Sequence, residues 1–176
     1  NGIYAASVSI LDENLKLDIH KTIRHAENLI KSGCHGVVIF GSTGQSQLIS
    51  LEEKFELIKN ISKSIFKDKF IIGTGLNSLN DTISLIKISN SYNFNNFLIM
   101  PPAYYMYEDK DVIRFYIKLI EKLSNCKIIL YNFEKLSGYK FSKESVEKLV
   151  SLFPENIIGV KDSSYNLFEH LKLKNF

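Results

Sequence analysis

The sequence predicts an α/β protein built on a parallel sheet, and three observations carry that prediction. Short apolar runs rich in Ile, Val and Phe recur at 3–10, 36–40, 70–75, 97–100, 127–131 and 157–161, with the length and β-branched content of buried strands. Longer segments with helical period lie between them. From the second run onward the spacing is roughly 30 residues, the length of one strand, one helix and their loops. Alternating strand and helix gives a parallel sheet with helices outside it. Six such units suit either an open doubly wound sheet or six of the eight units of a (β/α)8 barrel, and strand count leaves both open.

Each element has a local reason. The first strand is read over "IYAASVSI". The helix that follows is read in "LDIHKTIRHAENLIKSG", where Ile19, Ile23, Ala26 and Ile30 share a face and Gly33 follows as the stop. "GVVIF" is the second strand. Ser50 and Glu53 then form a capping box ahead of "KFELIKNISKSI". The runs "FIIGTG", "FLIM" and "KIILY" are the next three strands. Ser142 with Ser145 opens a helix over "KESVEKLVSLF", and "IIGVK" is the sixth strand.

Composition bounds the partners. With 176 residues, 45% of them hydrophobic, the chain can bury one substantial core. Its net charge of +3, from 22 basic and 19 acidic residues, is scattered without a basic block, so no nucleic-acid partner is expected. Cys34 and Cys126 are the two cysteines, and no Cys/His cluster has zinc spacing. No metal is expected, and the setting reads as reducing and cytoplasmic. "NGIYAASVSIL" lacks the charged start of a signal peptide, and no apolar run approaches the ~20 residues that span a bilayer, so no membrane partner is expected. "GTGLNSLND" lacks the third glycine of a dinucleotide fingerprint, and there is no phosphate-loop lysine. No cofactor is therefore expected.

The polar residues that look out of place gather where strands end: "GSTGQS" after the second, "PPAYYMY" after the fourth, "YN" at the fifth and Lys161 at the sixth. C-terminal strand ends form the catalytic face of parallel α/β folds. Lys161 closes an apolar run, and burying an ammonium is costly. Such a lysine either snorkels to solvent or pairs with Asp162, or it is a desolvated amine nucleophile aimed at a carbonyl. The turn from Gly41 to Gly44, with the Ser42 and Thr43 hydroxyls, suits a carboxylate. A carboxylate beside a carbonyl describes a 2-oxo acid. Its Schiff base with Lys161 is an electron sink for making or breaking a carbon–carbon bond, and Tyr131 is placed to move protons.

The combination "GSTG", "MPPAYY", "YNFEKLSG" and "GVKDSS", in this order and spacing, resembles the dihydrodipicolinate synthase / N-acetylneuraminate lyase family of class I aldolases, over nearly the whole chain. The resemblance implies a (β/α)8 barrel, pyruvate held as a Schiff base on Lys161, and Tyr131 as proton shuttle. It further implies that Ser42 and Thr43 bind the pyruvate carboxylate. It makes Tyr104, or Tyr105 if the loop is shifted by one, the tyrosine that many members insert into a neighbouring subunit's site. A homo-oligomer, tetramer or dimer, is the corresponding expectation, with pyruvate and an aldehyde as small-molecule partners.

Departures from the family pattern sharpen the substrate. Leu136 stands where members of the dihydrodipicolinate synthase type usually carry an arginine that binds a substrate carboxylate. That favours a sugar-acid-type lyase or aldolase over condensation with aspartate semialdehyde, which stays as the alternative. Glu134 replaces a common proline and Gln45 a common glutamate. These changes admit a further alternative, a catalytically silent 2-oxo-acid-binding homologue. A non-catalytic interaction protein on the same sheet is the reading outside this chemistry. The chain stops at "EHLKLKNF", about where a seventh strand would begin. Residues 1–176 are therefore read as the N-terminal part of the barrel, about the first six βα units, with strands seven and eight outside it.

Overall fold

The computed structural model describes residues 2–123 and 125–164. Its strands are β1 (Tyr4–Ala6), β2 (Gly36–Ile39), β3 (Phe70–Gly73), β4 (Asn96–Ile99), β5 (Lys127–Asn132) and β6 (Ile157–Asp162). The helices are α1 (Ile19–Lys31), α2 (Leu51–Ile61), α3 (Leu79–Ser91), α4 (Asp109–Ile120), a short α5 (Glu134–Ser137) and α6 (Lys143–Leu152). The strands form one sheet in the order β1-β2-β3-β4-β5-β6, with every neighbouring pair parallel. A doubly wound sheet reverses its strand order at a switch point. This order never reverses, so the six strands are an arc of a barrel with helices alternating between them. The stretch expected to precede a seventh strand lies outside the described residues.

Helix starts follow the expected chemistry. The Ser50 hydroxyl accepts from Glu53 N at 3.3 Å and Glu53 Oε2 accepts from Ser50 N at 2.9 Å, completing the capping box of α2. Glu53 Oε1 also accepts from Leu17 N at 2.8 Å, and that backbone N–H is the main reason its carboxyl is held below the usual range. Ser142 Oγ accepts from Ser145 N at 3.0 Å at the start of α6. Past the end of α1, Gly33 takes the left-handed conformation, with φ +106°.

Strand alternation separates two apolar faces. Val37, Ile39, Ile72, Phe97, Ile128 and Leu130 pack outward into one large cluster with buried helix residues such as Ala26, Leu57, Leu85, Tyr116 and Val146. Val38, Leu98 and Tyr131 point the other way and form a second cluster on the inner face. In α1 the buried positions are Thr22, Ala26 and Ile30, while Ile19 and Ile23 are half-buried against the core.

The first and last strands differ from the expectation of buried runs. β1 keeps only three residues of the 3–10 segment, and Tyr4 is 55% exposed. β6 is half-buried beyond Ile157, and Ile158 is 48% exposed. Both are outermost in the strand order, so each has a hydrogen-bonded neighbour on one side only among the described residues. Among the described residues Lys161 is half-buried.

Candidate active site

The strand ends bring four elements to one rim. Gly41 and Ser42 follow β2 after Phe40, Tyr131 lies near the end of β5, Lys161 lies near the end of β6, and Leu136 sits on α5. Parallel pairing of β5 and β6 sets Tyr131 opposite Lys161 and Asn132 opposite Asp162. The Tyr131 hydroxyl is 2.8 Å from Ser42 Oγ, and Lys161 Nζ lies 4.2 Å from the centre of the Tyr131 ring. Tyr131 is only 4% exposed, so one aromatic side chain joins the turn after β2 to the lysine of β6.

A cavity of about 270 Å³ opens at this rim, lined by Gly41, Ser42, Tyr131, Leu136, Met100 and Leu48 among others. A second, larger space of about 580 Å³ runs along the inner face past Val38, Ile71, Ile129 and Lys161, and shares Leu98 with the first. Tyr131 therefore lines the first space while its ring lies against the lysine of the second.

The turn itself is built from backbone contacts. Gln45 N donates to Ser42 O at 3.0 Å and Ser46 N to Gly41 O at 3.4 Å. Ser9 Oγ donates to Gly44 O at 2.6 Å, and a Cβ on Gly44 would stand 2.9 Å from Ser7 O, so only glycine fits that approach. Gly44 is thus a packing glycine of the turn, while Gly41 lines the cavity. Thr43 is exposed, and its side chain is not brought to the cavity wall that Ser42 lines.

Tyr104 and Tyr105 are set apart from this rim. Tyr104 is 89% exposed at φ +86°, and its ring meets that of Tyr105 edge-on at 5.1 Å, with Met106 95% exposed beside them. A non-glycine residue at such a φ costs on the order of 1–3 kcal/mol. The pair projects outward and takes no part in the cavity of this chain.

Two supports stand behind the rim, one of them the Asn132 of the "YN" that ends the fifth run. Asn132 is buried, donates through Nδ2 to Asp162 Oδ1 at 3.0 Å and accepts from Phe141 N at 3.1 Å, joining the ends of β5 and β6 one register pair beyond Tyr131 and Lys161. Lys54 on α2 is fully buried, and its Nζ donates to Thr74 O at 3.2 Å. Burial lowers its pKa to about 8, partly offset by the Asp81 carboxylate. One sequence signal was available for it: Lys54 continues the apolar stripe Leu57, Ile58, Ile61 at helical spacing. Both cysteines are free, and burial pushes the Cys126 thiol up to about 12. Among the described residues no group of three or more His, Cys, Asp or Glu could hold a metal, and no helix is long and apolar enough to cross a membrane.

The dihydrodipicolinate synthetase family model matches residues 1–176. The chain belongs to that family. It is 33% identical, over 89% of its length, to a 4-hydroxy-tetrahydrodipicolinate synthase of Listeria monocytogenes, of which it spans 52%. The structure of a chloride-inhibited dihydrodipicolinate synthase from Acinetobacter baumannii complexed with pyruvate matches it with a TM-score of 0.87 at 26% identity, covering 98% of this chain and 58% of that one. A variant of the 2-keto-3-deoxygluconate aldolase of Sulfolobus solfataricus matches with a TM-score of 0.85 at 26% identity, covering 97% and 56%. The chain thus spans a little over half the length of these family members. The family match agrees with the motifs "GSTG", "YNFEKLSG" and "GVKDSS", which the fold places at the C-terminal ends of β2, β5 and β6.

Proposed function

We propose that the protein carrying this chain is a class I aldolase or lyase that holds pyruvate, or another 2-oxo acid, as a Schiff base on Lys161. The observation that carries the reading is the Ser42–Tyr131–Lys161 line, with a 2.8 Å hydroxyl contact at one end and a 4.2 Å amine-to-ring contact at the other. The pyruvate in the Acinetobacter complex supports the choice of oxo acid. In the proposed reaction the unprotonated Lys161 amine adds to the C2 carbonyl, and loss of water gives an iminium. Loss of a proton from C3 gives an enamine, whose carbon attacks an aldehyde; cleavage runs the same steps backwards, and water releases the product and restores the amine. Ser42 and the backbone of its turn hold the carboxylate, and the Tyr131 hydroxyl passes protons to and from the aldehyde oxygen. No cofactor is required by this chemistry, and the two free thiols suit a reducing cytoplasm.

For the second substrate, the rim favours a neutral, hydroxylated aldehyde, and hence a sugar-acid-type reaction. Leu136 lines the cavity 48% exposed, and no charged side chain is among the described residues lining it. A carboxylate placed there would lose hydration without gaining a cation. The aldolase from Sulfolobus shows that the same fold carries a sugar-acid member. The second reading, condensation of pyruvate with aspartate semialdehyde, is favoured by the name of the Listeria relative. The exposed Tyr104, Tyr105 and Met106 fit a homo-oligomer in which these side chains reach a neighbouring copy.

The test is incubation with pyruvate and borohydride followed by mass spectrometry. A reduced pyruvyl adduct on Lys161 is expected. An unmodified protein, or an adduct on a different lysine, overturns the reading.

A further inference from the structure

Among the described residues Lys54 is the one charged side chain that is fully buried, and the reaction proposed above does not use it. Its surroundings connect it to the site in three steps. Nζ donates to Thr74 O at 3.2 Å, and Ser46 Oγ donates to the same carbonyl at 3.1 Å. Ser46 N then closes the turn onto Gly41 O at 3.4 Å, and Ser42 of that turn meets Tyr131 OH at 2.8 Å. Nζ also lies 5.8 Å from the ring centre of Phe40, the buried residue at φ +54° that begins the turn.

The corner these groups hold has little slack. Gly75, next to Thr74, sits at φ +55°, and a Cβ there would come within 2.3 Å of Ser46 Oγ. A Cβ on Gly73, just before Thr74, would stand 2.3 Å from Phe40 O. The backbone of residues 73–75 thus lies directly against the turn after β2, and both Ser46 and Gly75 line the cavity. A methionine in place of Lys54 would fill the core as well and remove a costly buried charge. The observed lysine is therefore unexplained by packing, and its donor is spent on a carbonyl one hydrogen bond away from the cavity wall.

We propose that Lys54 is a positioning residue: with Ser46 it clamps the Thr74 carbonyl and so holds the turn of residues 41–46 in the shape that accepts the carboxylate of a 2-oxo acid. The carboxylate part of this inference rests on the Schiff-base reading; the clamp does not. Burial that lowers the Lys54 pKa to about 8 agrees with an ammonium kept in the core for a purpose other than stability.

The test compares the complete protein with its Lys54→Met and Ser46→Ala variants, using Lys59→Met, an exposed lysine on the same helix, as control. Amide hydrogen exchange of residues 41–48 without ligand should quicken about tenfold in Lys54→Met and Ser46→Ala. The pyruvate concentration that half-saturates borohydride trapping should rise about tenfold, kcat should change less than about threefold, and Lys54→Met should melt at or above the wild-type temperature. Weaker pyruvate binding alongside equal or greater stability is a pattern that a merely structural lysine does not produce. Unchanged exchange and unchanged half-saturation in Lys54→Met overturn the proposal. So does a Lys54→Met protein that fails to fold while Ser46→Ala retains wild-type exchange and pyruvate binding, since Lys54 would then serve the core alone. A wild type that forms no adduct overturns the Schiff-base reading instead, and the exchange measurement still decides the clamp.

Discussion

Lys161 and Tyr131 are register partners on adjacent parallel strands, and the lysine Nζ stands 4.2 Å from the centre of the tyrosine ring. The ring gives the ammonium a polarisable face on the inner side of the sheet, while the ring's own hydroxyl reaches across to Ser42. One pairing register therefore decides both the position of the amine and the position of the proton-carrying hydroxyl. A shift by one residue would turn Tyr131 into the helix-packed core.

Removing the amine tests the first half of this relationship. Lys161→Ala should abolish the borohydride-trapped pyruvate adduct. The loss of its ring contact should cost only about 0.5–1 kcal/mol of stability. Mass spectrometry and thermal melting check the two outcomes, and an adduct that persists in the variant assigns the nucleophile elsewhere.

The hydroxyl tests the second half. Tyr131→Phe keeps the ring under Lys161 and removes the contact to Ser42, so Schiff-base formation at equilibrium should survive while turnover slows by roughly 10²–10⁴-fold. Ser42→Ala should chiefly raise the half-saturating pyruvate concentration, because the backbone donors of the turn remain. Equal effects of both variants on kcat would mean that the two hydroxyls act only as a pair.

Leu136 separates the two candidate substrates. The complete protein should show a higher kcat/KM for a sugar-acid-like 2-oxo acid than for pyruvate with aspartate semialdehyde. Leu136→Arg should shift the ratio towards the semialdehyde by at most the ~1.5–3 kcal/mol of a charge-assisted hydrogen bond, about one to two decades. A wild type that already prefers the semialdehyde would point to another cation, with Lys135 next in the chain.

Lys54 sets a pH dependence of stability with a definite sign. Its pKa is lowered to about 8 in the folded chain from 10.5, mainly by burial and against the opposing pull of Asp81. Between those values the unfolded chain binds more protons, so this group makes stability rise with pH from about 8 to 10.5. The penalty relieved is on the order of 3 kcal/mol. Chemical denaturation of wild type and Lys54→Met across this window should show that rise in the wild type and its absence in the variant.

Much of this was legible in the chain because it is local. Strand runs, helix periods and capping residues act over a few positions, and Ser50 with Glu53 and Ser142 with Ser145 cap the helices as their spacing suggests. The motifs at strand ends were readable for the same reason, since a parallel α/β chain returns every strand end to one side. Lys54 was not legible as part of the site, because its partner is the Thr74 carbonyl, 20 residues away, and a backbone group carries no signature in sequence. Thr43 shows the converse limit: it sits beside Ser42 in "GSTG", yet it is exposed while Ser42 lines the cavity.

The amino-acid sequence by itself determined the alternation of strand and helix, the family motifs and the chemical types available at the rim. The tertiary structure decided what no window of sequence contains: that strand order runs from β1 to β6 without reversal, and that Tyr131 bridges Ser42 and Lys161. The physical reason is that periodicity reports which face of an element is apolar, whereas neighbour identity and a 2.8 Å contact between residues 89 positions apart arise only when the sheet is assembled.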